Sequence, residues 1–131
     1  MDRTYKVVKV AKIIDPYTVV INAGRDTYTS PLPSVDDVWE IYSEGQEILD
    51  PETKESLGTL DFVKARIRVI TVLPMMSICK NADIVTKTIN LSGVLETSSR
   101  ERLNVDNEQI SGGFENVDKK VRIGDLVRKS Y

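Results

Sequence analysis

Histidine is absent from the 131-residue chain and cysteine occurs once. The first absence removes the commonest general acid and base, and with Cys79 alone no Cys/His zinc set can be assembled. A single cysteine forms no internal disulfide, which fits a reducing compartment, so the expectation is a cytoplasmic protein without metal or cofactor. With no histidine to activate it, Cys79 reads as a small buried residue and not as a nucleophile. A phosphate loop is also lacking, because Gly112-Gly113 is not followed by the Lys and Ser/Thr that such a loop uses. Apolar runs extend for only a few residues, so no membrane span is expected. The start Met1-Asp2-Arg3-Thr4-Tyr5-Lys6 has no apolar stretch behind a basic one, and no secretory signal is expected there. Neither sign of charge dominates: 18 basic against 20 acidic residues give −2, which argues against bulk duplex nucleic acid as partner.

What is present favours strands. Valine, isoleucine and threonine are abundant, alanine is scarce, and no stretch repeats at helical spacing. β-Branched side chains lose little freedom on a pleated surface and more in a helix. Residues 5–14 form a first extended run, stopped by Asp15-Pro16, since proline donates no backbone hydrogen bond and restricts the residue before it. Residues 17–22 form a second run, ended at Asn22-Ala23-Gly24, where Asn and Gly tolerate positive φ. Residues 25–36, with Pro31 and Pro33, read as a loop, and 37–43 as a strand with Trp39 and Ile41 on one face. Ser43-Glu44-Gly45 leads to the short pair Ile48-Leu49. Asp50-Pro51-Glu52-Thr53 is a turn in which Asp50 accepts from the backbone ahead and Pro51 presets φ.

Residues 57–73 give the longest strand signal. Val63, Ala65, Ile67 and Val69 alternate with Lys64, Arg66 and Arg68 until the parity changes at Val69-Ile70, which calls for a one-residue bulge or a barrel corner. Further strands are read at 75–80 and at 119–128, the latter with Val121 and Ile123 at period two. Val35-Asp36-Asp37-Val38 and Ile123-Gly124-Asp125-Leu126 echo each other, as shared turn chemistry explains. The sum is one all-β domain: a small, partly open β-barrel closed by the C-terminal strand, with a projecting arm or loop at about 82–117.

These turns carry a resemblance. A strand ending at Asn22 and Gly24, Asp37 entering a strand with Tyr42 near its end, Asp50-Pro51-Glu52-Thr53 leading to Leu57-Gly58, and Gly124-Asp125 entering the last strand together resemble small bacterial domains similar to the C-terminal domain of flagellar assembly protein T. The likeness covers roughly 1–80 and 118–130; Asp36 departs from it, standing where that pattern prefers Gly. It implies an SH3-like or related small barrel that serves as an assembly or interaction module without catalysis.

Two groups of residues are candidates for binding. Val85, Ile89, Leu91, Val94 and Leu95 are too many apolar side chains for a free loop; they must cover an open end of their own barrel or dock on a partner, and a protein partner or homo-oligomer is the expectation. Lys64, Arg66 and Arg68 form a cationic stripe at the roughly 7 Å spacing of alternate strand residues, a weak anion site set against the plainer reading of a solvated face. No aromatic residue interleaves with the stripe, so nucleic-acid stacking is not expected. Asn104, Asp106 and Glu108 alternate oxygen side chains but are too few for calcium. Trp39, Tyr42 and Phe62 read as core. No catalytic group is assigned. The function expected is a non-enzymatic binding or assembly module, self-associating through 82–117, with small-ligand or nucleic-acid binding on the cationic strand face as the alternative.

Overall fold

The computed structural model describes residues 4–83, 102–114 and 117–130. The strands are β1 Val10–Asp15, β2 Thr18–Ile21, β3 Val38–Ser43, β4 Glu47–Leu49, β5 Ser56–Thr59, β6 Phe62–Val72, β7 Ser77–Asn81 and β8 Leu126–Lys129. Among the described residues the only helical turn is a 3-10 turn at Asn107–Gln109. Six strands form an antiparallel sheet in the order β1-β2-β7-β6-β3-β8, and β4-β5 is a separate two-stranded ribbon. The sheet curls into a small, partly open barrel. Its outer strands meet where Lys9 bridges Leu126 and Val127 N–H donates to the Val8 carbonyl. An even number of strands lets this last pairing be antiparallel like the rest. No bridge joins β8 to β1 beyond Val10, so the seam is open there.

Strand alternation fills the interior. Trp39 and Ile41 point inward from β3, each 1% exposed, and meet Val10, Ile21, Ile67, Val69, Cys79 and Val127. Burying an aliphatic side chain of this size contributes about 1.5–3 kcal/mol. The parity change at Val69-Ile70 is a bulge: Val69 pairs with Cys79 and Thr71 with Ile78, leaving Ile70 unpaired and exposed.

Four local expectations are corrected. The 57–73 run is two strands with a break at Leu60-Asp61. Across from it, a Cβ at Gly45 would lie 1.8 Å from the Leu60 carbonyl oxygen, so the chains cross too closely for a side chain there. The closing strand is 126–129 and not 119–128. The side chains of Asp118 and Asp125 hold the Lys120 and Arg122 N–H groups in turns, so Val121 packs against the core while Ile123 is 68% exposed. Gly24 is needed for a close approach and not for positive φ: a Cβ would sit 2.3 Å from the Leu73 oxygen. Phe62 and Tyr42 are half-buried at the outer face, and of the three aromatics read as core only Trp39 is fully enclosed.

The two echoing turns share one geometry. Asp37 Oδ2 accepts from Ser34 N–H at 3.0 Å, and Asp125 Oδ2 from Arg122 N–H at 2.7 Å. The residue before each aspartate has positive φ (Asp36 74°, Gly124 93°), and its N–H donates at 2.8 Å to Val69 and Val10 respectively. The aspartate carbonyl accepts in return from the same valine at 2.9 Å in both cases. The device docks the start of β3 onto β6 and the start of β8 onto β1. Asp36 thus adopts the conformation glycine would take, at the departure noted above.

Candidate functional site

The outer face of the β6-β3-β8 part of the sheet carries a charge ladder. Glu40 on β3 lies opposite Arg66 of β6 and Arg128 of β8. Arg128 donates from Nε to Glu40 and from Nη1 to Asp61, both at 2.6 Å, and lies 4.0 Å over the Tyr42 ring. Burial works against the Arg128 charge, but the hydrogen bonds to Glu40 and Asp61 outweigh it and hold its pKa above the ordinary value. Burial would raise Asp61; hydrogen bonds from Thr59 and Arg128 prevail, and its carboxyl lies below the usual range. Burial raises the Tyr42 hydroxyl, partly offset by Arg128.

Beside this ladder opens a cleft of about 580 Å³. Its apolar part is Val8, Trp39 and Val127, all buried, together with Pro31 of the 25–36 loop. Lys6, Arg66, Arg128 and Lys129 line it as well, against the single carboxylate of Glu40. Arg128 is neutralised by Glu40 and Asp61, and Lys129 lies 3.8 Å from Asp37. The side chains of Lys6 and Arg66 have no partner among the described residues. The buried indole N–H of Trp39 also lacks an acceptor among them. A buried donor left unsatisfied costs about 1–3 kcal/mol.

The three cations of the sequence stripe fare differently. Lys64 is covered: its side chain is 4% exposed, and Nζ donates to Asp125 Oδ2 at 2.9 Å and to the Lys120 carbonyl at 2.8 Å. Arg68 donates to the Asp36 carbonyl at 3.2 Å. Arg66 alone of the three lines the cleft, with Lys6, Arg128 and Lys129 from distant segments that the strand period could not reveal. Val85, Ile89, Leu91, Val94 and Leu95 lie outside the described residues.

A second cavity of about 400 Å³ lies where Ile13, Val19, Ile41, Ala65, Ile67 and Val121 line the open part of the barrel. It is mainly apolar, with Asp15, Asn81 and Lys120 as polar lining, and offers volume but few groups to orient a ligand. Cys79 is fully buried and burial pushes its thiol up to about 12, so it stays protonated and unreactive at neutral pH. Asp106 caps the 3-10 turn by accepting from Glu108 N–H. Among the described residues no group of three His, Cys, Asp or Glu side chains could hold a metal ion, and no helix is long and apolar enough to cross a membrane. No protein-family model, curated protein or solved structure matches the chain.

Proposed function

We propose that the domain is a non-enzymatic binding module whose cleft takes an anionic partner. The observation that carries this is the pair Lys6 and Arg66: two cations without side-chain partners among the described residues, beside the apolar surface of Val7 and Pro31. A charged hydrogen bond in such a site contributes about 1.5–3 kcal/mol, enough to set the sign and register of a ligand. The resemblance of the turn motifs to a flagellar assembly domain leads to the same class, an interaction module in a bacterial cytoplasm. Binding of polyglutamate and of tripolyphosphate, titrated at several salt concentrations, tests the reading. Affinity should fall with salt, and Lys6→Gln with Arg66→Gln should weaken it and flatten the salt slope. Binding that ignores both changes contradicts it.

A second reading is homo-oligomerisation through Val85, Ile89, Leu91, Val94 and Leu95, five apolar residues within eleven positions. Changing Ile89 and Leu91 to Asp should then dissociate an oligomer while the barrel stays folded.

A further inference from the structure

We infer that the partner of the cleft is the β4-β5 hairpin of a second copy of this chain. The inference rests on the reading of the cleft as an anion site. Charge is segregated along the sequence: residues 44–61 hold six acids and one base, net −5, so the remainder of a chain of net −2 carries +3. Glu44, Glu47, Glu52 and Glu55 have no cation partner among the described residues, and the only base in the stretch, Lys54, turns back to the Pro51 carbonyl at 3.1 Å. A cleft with unpaired cations and a hairpin with unpaired carboxylates therefore occur on one molecule.

Shape and apolar surface agree with charge. The hairpin is an isolated two-stranded ribbon, an arrangement only marginally stable in water without further contacts. It exposes Leu57 at 64% and Leu49 at 48%, and the cleft offers the exposed Val7 and the half-buried Pro31 to receive such side chains. The hairpin does not occupy its own cleft. No residue of 44–61 lines the cleft, although only three residues separate Ser43 at the end of β3 from Glu47 at the start of β4. The contact is thus heterologous, hairpin of one copy to cleft of the next, and repeats into a ring or a filament.

Sedimentation velocity on two variants tests this. One removes the cleft cations (Lys6→Gln with Arg66→Gln). The other removes hairpin charge (Glu47→Gln, Glu52→Gln and Glu55→Gln) and spares Asp50, which holds the turn. A retained cooperative melt shows that each is folded. The wild type should associate at tens of micromolar in about 0.05 M salt and dissociate in about 0.5 M, where the screening length is only a few ångströms. Each variant alone should be a monomer. Mixed one to one, the intact hairpin of the first and the intact cleft of the second should give a two-chain species and nothing larger. A monomeric wild type overturns the inference, as does association that survives both variants or a mixture that stays monomeric. Polyglutamate binding separates the two levels: if it depends on Lys6 and Arg66 while the wild type is monomeric, self-docking fails and the anion site stands. If polyglutamate does not bind, both fail.

Discussion

Lys64→Met should cost this protein about 2–3 kcal/mol of stability, far more than any change at an exposed cation. The ammonium is almost wholly covered and serves two acceptors, Asp125 and the Lys120 carbonyl. Breaking a fully buried ion pair costs about 3–5 kcal/mol, because the remaining charge is left unpaired. Asp125 is 18% exposed and keeps its hydrogen bond from Arg122 N–H, so part of that penalty is relieved by water and backbone. Methionine preserves the hydrocarbon packing, which leaves the polar loss as the main effect. Asp125→Asn should cost a similar amount by stranding Lys64, whereas the double variant should be less destabilised than the sum by about 1–2 kcal/mol. Urea denaturation followed by emission of Trp39, the only tryptophan, measures all four proteins. Strict additivity would refute the claim that Lys64 and Asp125 act as one latch at the entry to β8. As a control, Arg122→Gln, which breaks only the exposed Arg122–Asp118 pair, should change stability far less.

Asp36→Gly should stabilise the protein by about 0.5–1 kcal/mol, since the φ of 74° is relieved while the hydrogen bonds at that residue are made by its backbone; Gly124→Ala, at 93°, should destabilise it by about 1–2 kcal/mol. Thermal melts of the two check the pair. Deleting 119–131 should abolish the cooperative melt, because β8 joins β3 to Val8–Val10 and covers Val127; a truncated protein that still melts cooperatively shows that strand to be peripheral. Stability should be flat from about pH 5 to 8, where no histidine titrates. Asp50, Asp61 and Asp118 have depressed folded pKa values, so their contribution is present above about pH 4 and lost as pH falls through those values. Cys79 is raised from 9.0 to about 12, so its contribution is complete below about pH 9 and is lost as pH rises toward 12. Urea midpoints across the range test both limits, and a transition near pH 6.5 would contradict the assignment.

Short-range signals carried the fold further than the site. The inward alternation of Trp39 and Ile41 and the bulge after Val69 were legible because strand parity is a property of adjacent residues. The break at Leu60-Asp61 was not, because the close approach of Gly45 to Leu60 is a contact across the ribbon that strand parity does not record. The closing strand was misplaced by its valine and isoleucine content; the aspartates that hold 118–125 in turns act through backbone hydrogen bonds that a hydrophobic pattern does not record. Lys64 and Arg66 have the same parity and chemistry in sequence. They differ because Asp125, 61 residues away, folds over one of them, while the other stands beside Lys6, Arg128 and Lys129. The acidic hairpin was readable as a turn, and its separation from the six-stranded sheet emerged only with the break at Leu60.

The contrast between those two neighbours gives the most direct test of the account. Polyglutamate titrated at low salt into wild type, Arg66→Gln and Lys64→Met, with Trp39 emission as the readout, compares a cleft cation with a latch cation on one strand. Arg66→Gln should weaken binding about tenfold, whereas Lys64→Met, though less stable, should bind like the wild type. Equal loss in both variants, or loss only in Lys64→Met, would contradict it.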